Sequence, residues 1–284
     1  MSSNLITLPR SLVHVEGPDA EDFLQGLLTQ SVEGMAIGQC VYGALLTPQG
    51  KVSADMIVWR SGTAAFLLDV AEVFAPALVR RLSLYKLRAQ VEIAVREGLA
   101  VVAGLGIAQP SSMPRFSGID PRMPDGALGW RFLMDGGSAF KGDLGPYESL
   151  RLEVGIPDLC QDAAPEEVFG LEALLEELNG VDFQKGCFVG QENVSRMKRR
   201  ATTRKKFCPV VFDGAVPVYG TPITADGVEL GSVRFRQAGR ALALMRLDRA
   251  LEARDNGQTL MADETVIRLD PPAWLILPAE KDTV

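Results

Sequence analysis

From Phe207 onward the chain changes character, and that change limits its fold more than any other feature. Strand-like runs at 207–212, 228–237, 240–247 and 258–269 are punctuated by Pro217, Gly220, Pro222, Gly227, Gly239 and Gly257. Glycine reaches the backbone angles that tight turns need, and proline interrupts a hydrogen-bond ladder. Runs at this spacing predict short antiparallel strands. Such strands leave exposed edges unless the sheet closes on itself, so a small antiparallel barrel is expected. The division falls near 203–207 and gives two units, 1–204 and 205–284. Two units also suit a chain of 284 residues, at about 150 residues per domain.

Upstream of that point helices and strands alternate. Residues 4–16, 40–47, 52–60, 64–70, 91–95, 99–105 and 127–134 read as strands, with a turn at Pro48-Gln49-Gly50-Lys51. Ala20, Phe23, Leu24, Leu27 and Leu28 recur at helical spacing, and helices are expected over 72–87, 147–154 and 171–178. The stretch 108–126 is rich in proline, glycine and serine and reads as a loop or a subdomain break. The class is α+β.

The formal charge of −7 argues against whole-surface attraction to nucleic acid or anionic membrane. The single histidine, His14, excludes a multi-histidine metal site. Cys40, Cys160, Cys187 and Cys208 are too dispersed for a zinc ribbon, so no bound metal is expected. Four unclustered cysteines fit a reducing, cytoplasmic setting. No apolar run approaches the roughly 20 residues that span a bilayer, and neither a signal peptide nor a membrane anchor is read. Chemistry here must use carboxylates, a thiol or a bound cofactor.

The densest segment is Lys185-Gly186-Cys187-Phe188-Val189-Gly190-Gln191-Glu192. Two glycines bracket a cysteine, and a helix is expected to open after Gly190. Lys185, Arg196 and the positive end of that helix would favour a thiolate at Cys187. The plain alternative is a small buried apolar cysteine.

This octapeptide resembles the K-G-C-[YF]-x-G-Q-E signature of the YgfZ-like folate-binding proteins. They include mitochondrial iron–sulfur assembly factors and are related to the glycine-cleavage T-protein, an aminomethyltransferase. Gly17-Pro-Asp-Ala-Glu-Asp-Phe-Leu-Gln-Gly, Leu46-Thr-Pro-Gln-Gly-Lys-Val and Arg151-Leu-Glu-Val-Gly-Ile-Pro resemble further segments of that family. The resemblance implies a T-protein-like α+β unit with a C-terminal barrel around a central channel. It implies a tetrahydrofolate or derivative as ligand, and a role in assembling or repairing iron–sulfur proteins, tRNA-modifying enzymes included. Cys187 falls on the motif cysteine and Tyr147 on a folate-holding aromatic. A second aromatic position falls at Arg10, and Phe188 replaces the more usual tyrosine.

Asp55 interrupts the apolar run Val52–Val58. The matching T-protein segment carries paired aspartates, so Asp55 is a candidate acid–base group, and a solvent-facing strand position is the alternative. The run Arg196–Lys206 holds seven basic residues and no acid. It reads as a solvated linker, as a rim for a folate glutamate tail, or as a contact for tRNA phosphates. The expected site is therefore Cys187 and Asp55 for chemistry. Tyr147, Lys185, Gly186, Gly190, Gln191, Glu192, Arg196, Arg199 and Arg200 would bind the cofactor. Three functions stand: a folate-binding protein of iron–sulfur maintenance, a folate-dependent aminomethyltransferase-like one-carbon transferase, and an RNA-binding adaptor. Expected partners are folate and iron–sulfur client or assembly proteins, with any tRNA contact indirect and no membrane.

Overall fold

The computed structural model describes residues 4–107, 114, 116–123, 125–136, 143–200, 203–237 and 239–278. Strands β1 (Leu5–Thr7) and β2 (Arg10–Glu16) come first, then helix α1 (Ala20–Gln25). Next come β3 (Cys40–Leu46), β4 (Val52–Gly62), β5 (Ala65–Ala71), α2 (Ala75–Lys86), β6 (Glu92–Arg96) and β7 (Leu99–Gly104). β8 (Phe116–Ile119), β9 (Trp130–Asp135), α3 (Gly145–Val154), α4 (Leu159–Asp162) and α5 (Gln191–Arg199) follow.

One antiparallel sheet has the order β3-β4-β5-β2-β6 and a second the order β1-β7-β9-β8. The segment from β1 to β2 hands the chain from one sheet to the other. Side chains alternate across a strand, so each five-stranded face has its own core. Val13, Val15, Ala54, Met56, Val58 and Leu68 pack with Leu24 of α1 and with Leu78 and Leu82 of α2. The opposite face, with Leu12, Tyr42, Ile57, Trp59 and Leu67, joins Val101 and Leu133 of the second sheet in a larger core. That inner face positions the candidate site.

The C-terminal unit is a closed antiparallel barrel of six strands: β10 (Lys205–Phe212), β11 (Pro222–Ala225), β12 (Val228–Gln237), β13 (Arg240–Arg246), β14 (Leu260–Ala262) and β15 (Thr265–Leu269). The fold is thus the expected α+β unit with a C-terminal barrel. Buried residues from both faces of its strands, among them Phe207, Val210, Val233, Leu242 and Ile267, belong to the same core as the inner sheet face.

Four local expectations are corrected. The first helix stops at Gln25, so Leu27 and Leu28 are buried outside it. Residues 171–178 form successive turns and no α-helix. Leu174 and Asn179 take φ of 63° and 56°, which breaks a helix, yet Leu171, Leu174, Leu175 and Leu178 are buried. Their spacing reported burial alone. The stretch 108–126 holds strand β8, and its residues 108–113, 115 and 124 lie outside the described ones. The barrel also carries a helix, α6 (Leu247–Asp255), where only strands and turns were expected. Leu247, Ala250 and Ala253 recur every three residues and are buried.

Candidate functional site

In antiparallel pairs, residues directly opposite share a face. Ala44 lies opposite Asp55, Ile57 opposite Asp69, and Asp69 opposite Leu12. Asp55, Asp69 and Arg10 therefore project from the inner face of the five-stranded sheet, where solvation is lost and partners are required. Asp69 is fully buried. Its Oδ1 accepts from Arg10 Nε (2.5 Å) and its backbone oxygen from Arg10 Nη2 (2.6 Å). Its Oδ2 accepts from Arg131 Nη1 of β9 (3.0 Å).

Arg131 continues the chain of contacts. Its Nε and Nη2 donate to Asp120 Oδ2 at 3.2 and 3.0 Å. Arg122 approaches the same carboxylate with Nε on Oδ1 (2.9 Å) and Nη2 on Oδ2 (2.8 Å). The Tyr147 hydroxyl, at the start of α3, accepts from Arg122 Nη2 (2.9 Å) and Arg131 Nη2 (3.3 Å). Burial opposes ionisation of Asp120, but the two guanidinium groups outweigh it and hold the carboxyl well below its usual range.

This network forms one side of a cavity of about 420 Å³, counting the part open to solvent. Arg10, Asp55, Arg122, Tyr147, Glu148, Asp158 and Cys160 line it, with Leu8, Pro9 and Ala71. Asp55 is 4% exposed, and its Oδ2 accepts from the Tyr42 hydroxyl at 3.1 Å. Burial pushes its carboxyl up against the pull of Arg10. The solvent-facing alternative for Asp55 is thereby corrected. Across the cavity Asp158 accepts from the Cys160 N–H (3.2 Å) and Gln161 Nε2 (3.0 Å). There burial is outweighed by Arg151 and Arg10, and the carboxyl is lowered. The cavity thus sets a raised carboxyl beside a lowered one.

The motif segment lies elsewhere. None of residues 185–200 lines this cavity. Lys185 is buried, and its Nζ donates to the carbonyls of Leu28 (2.7 Å) and Gln30 (2.9 Å). This ammonium ties the motif to the α1–β3 connection, and the expected cofactor contact from Lys185 is replaced by that tether. Gly190 precedes α5 with φ of 82°, and an added Cβ would sit 2.6 Å from the Thr47 carbonyl oxygen. Only glycine lets α5 start this close to the β3–β4 turn. Gly186 has a different status, since a Cβ there would meet nothing within 4 Å.

Gln191 and Glu192 form the first turn of α5, and Arg196 donates to Asn193 Oδ1 (2.6 Å). Arg196, Arg199 and Arg200 are exposed on α5 and just after it, and none of them lines the cavity. Lys198 pairs with Glu176 and Lys206 with Glu177, so part of the basic run is neutralised within the chain. Cys187 is exposed, whereas Cys208 is buried and Cys40 and Cys160 are partly so. Burial pushes the Cys40 and Cys208 thiols up to about 12. Burial and Asp158 also raise Cys160.

Of the expected site, the fold brings Asp55 and Tyr147 together and sets Cys187 apart. The reading of the sequence missed Asp69, Asp120, Arg122, Arg131, Glu148 and Asp158, and the role of Arg10. Two of them were signalled: Asp69 interrupts Phe66–Val70, and Arg131 sits between Trp130 and Phe132. Among the described residues no cluster of histidine, cysteine or carboxylate has the makings of a metal site. No helix among them is long and apolar enough to cross a membrane.

Known proteins resemble this arrangement in sequence and in fold. Residues 11–114 match the family described as the GCVT N-terminal domain, and residues 204–276 that of the CAF17 C-terminal beta-barrel domain. The aminomethyltransferase T of the glycine cleavage system from Bartonella henselae superposes with a TM-score of 0.74. That match covers 98% of this chain and 88% of the other at 17% identity, and it speaks for the fold alone. The mitochondrial iron–sulfur cluster assembly factor IBA57 of Mus musculus is 34% identical over 272 residues, 84% of this chain and 75% of that protein. The Homo sapiens protein of the same name is 33% identical, over 83% and 75%. Both are named as mitochondrial, which overturns the cytoplasmic location expected from the cysteine pattern. The match to these two relatives runs through both units of the fold, and the chain belongs to the family of the iron–sulfur cluster assembly factor IBA57.

Proposed function

We propose that the chain binds a tetrahydrofolate and supports the assembly or repair of iron–sulfur proteins, in the manner of the YgfZ-like proteins. The observation that carries the folate half is the cavity, with buried Asp55 on one side and Arg10, Arg122 and Tyr147 on another. A pterin ring presents both N–H donors and a carbonyl acceptor, and this lining offers partners for both. A reduced folate, when bound, supplies a one-carbon carrier. The chain's own residues bind it, orient the ring and exclude water from Asp55. The iron–sulfur half rests on kinship with the IBA57 proteins. Cys187, as the exposed cysteine, is the thiol offered to a partner.

The test is a calorimetric titration with tetrahydrofolate and its polyglutamates. Saturable one-to-one binding is expected, and its absence for every folate refutes the folate half. Because α5 does not line the cavity, mono- and polyglutamates should bind alike. A polyglutamate advantage that shrinks with salt would return Arg196, Arg199 and Arg200 to the site. Turnover of an aminomethyl donor would instead favour the transferase reading, with Asp55 as the proton-transfer group. The division at 204/205 is likewise a proposal, and limited proteolysis between the two units checks it.

A further inference from the structure

The five-stranded sheet has an open edge at β6. The order β3-β4-β5-β2-β6 leaves that strand one neighbour, β2, whose Leu12, His14 and Glu16 lie opposite Arg96, Ala94 and Glu92. Backbone bonds at the two ends of β2 set its phase. Gly17 N–H donates to the Ala64 carbonyl (3.0 Å) and Glu72 N–H to the Pro9 carbonyl (3.2 Å), both in line with the β2–β5 pairing. Odd-numbered residues of β2 therefore direct their backbone groups to β5 and even-numbered ones to β6. Glu92, Ala94 and Arg96 use theirs on β2, so Ile93 and Val95 point theirs outward, where none meets a partner among the described residues. The side chains of Ile93 and Val95 share the α2 face with Val13 and Val15, and Val95 is 47% exposed. On the other face Glu92, Ala94 and Arg96 are all exposed, and neither charge has an ion-pair partner among the described residues. Glu92 instead lies opposite Glu16, a like charge that weakens a strand pair.

We propose that β6 is a self-pairing edge: a second copy of this chain adds its own β6 antiparallel, about a two-fold axis at Ala94. The charge pattern names the occupant. Pairing centred on Ala94 sets Glu92 opposite Arg96 of the second copy and Arg96 opposite its Glu92, so both charges find partners and the repulsion between Glu16 and Glu92 is offset. The same register sets Ile93 opposite Val95 of the second copy, where every outward N–H and C=O of the two residues meets its complement. A parallel addition, or a shift by two residues, leaves Glu92 and Arg96 unmatched. Charges on an edge strand commonly repel a newcomer; here opposite signs at the two ends of one short strand make the edge complementary to itself. The two sheets become continuous, with both α2 helices on one face, and the pairing needs no ligand in the cavity.

Sedimentation equilibrium of the full chain from about 1 µM to about 1 mM reads the association. The weight-average mass should rise towards twice that of the chain, and added salt should oppose the rise by screening the paired charges. Arg96→Glu places only carboxylates along the seam and should weaken self-association by at least about tenfold, as should Glu92→Arg. Mixed in equal amounts, the two variants should associate again, because each carries the sign the other lacks. Both positions are exposed, so circular-dichroism melts of the variants should match that of the wild type. Val95→Pro removes an outward N–H and no bond to β2, and it should weaken the dimer too. Ala94→Cys reads the register. Position 94 faces itself across the axis in a non-hydrogen-bonded pair, within disulfide reach, and peptide mapping should find the two introduced thiols joined. A chain that stays monomeric over the whole range overturns the proposal, and the edge is then bare or kept for another protein. A dimer that survives both charge reversals, or that forms no link at position 94, has its interface elsewhere and overturns it as well. Charge variants that lose association singly and do not regain it on mixing overturn the pairing of Glu92 with Arg96.

Discussion

Replacing Asp120 by asparagine tests the energetics of the site's framework most directly. Asp120 accepts from Nε and Nη2 of Arg122 and from Nε and Nη2 of Arg131. Its side chain is 3% exposed, and those of Arg122 and Arg131 are 7% and 2%. Asparagine keeps the shape but removes the charge and turns one acceptor into a donor aimed at a guanidinium. Arg131 retains Asp69 and the Tyr147 hydroxyl, whereas Arg122 retains only the Tyr147 hydroxyl among the described residues. Breaking a buried pair from one side costs about 3–5 kcal/mol. At about 2 °C per kcal/mol for a chain of this size, Asp120→Asn should lower the melting temperature by roughly 6–10 °C. The pH dependence has a definite sign. The folded carboxyl is depressed below its unfolded value of about 3.9, so its stabilisation is complete above about pH 4 and is lost as the pH falls further. Circular-dichroism melts from pH 8 to 3 should show a constant gap between wild type and variant that closes below about pH 4. Adding Arg122→Met should recover part of the loss, since an apolar side chain leaves no buried charge unpaired. A loss under about 1 kcal/mol at pH 7, or parallel acid profiles, would refute the reasoning.

Iodoacetamide at neutral pH should label Cys187 first, with Cys40, Cys160 and Cys208 following only on unfolding. Peptide mapping against time checks this, and equal rates at Cys160 would count against it. Gly190→Ala should cost more than about 2 kcal/mol, because left-handed strain of about 1–2 kcal/mol adds to the clash with the Thr47 carbonyl. Gly186→Ala, with open space around it, should cost under about 1 kcal/mol in the same urea titration. Lys185→Met should cost about 1–3 kcal/mol by depriving the carbonyls of Leu28 and Gln30 of their donor.

The barrel and most strands were legible because turn residues and two-residue alternation are local signals. The succession of turns over 171–178 was not, because its leucines are spaced for burial and only backbone angles at Leu174 and Asn179 separate it from a helix. The site divided in the same way. The motif around Cys187 is contiguous and could be read directly. The cavity is assembled from pairs such as Arg131 with Asp69 and Arg122 with Tyr147, which lie 62 and 25 residues apart. No spacing rule joins them; the register of two sheets and the start of α3 do.

Asp55 and Asp69 carry the same signal in sequence, one carboxylate inside an apolar strand, and the fold gives them opposite roles. Asp69 meets two guanidinium groups, and all its strong contacts lie within the protein. Asp55 meets one neutral hydroxyl and an open cavity, and burial raises its carboxyl. Asp69→Asn should therefore destabilise by about 3 kcal/mol or more at pH 7, by the one-sided loss of a buried pair. Asp55→Asn should leave stability unchanged or raise it. A folded value above the unfolded one means that ionising Asp55 disfavours the native state as the pH rises past about 4, and asparagine removes that penalty. The same substitution removes the acceptor through which a ring N–H would bind, so ligand affinity should fall as stability holds. Paired urea titrations and folate titrations of the two variants read both quantities. If Asp55→Asn destabilises as much as Asp69→Asn, Asp55 is a structural partner like its neighbour, and the cavity loses the group on which its chemistry depends.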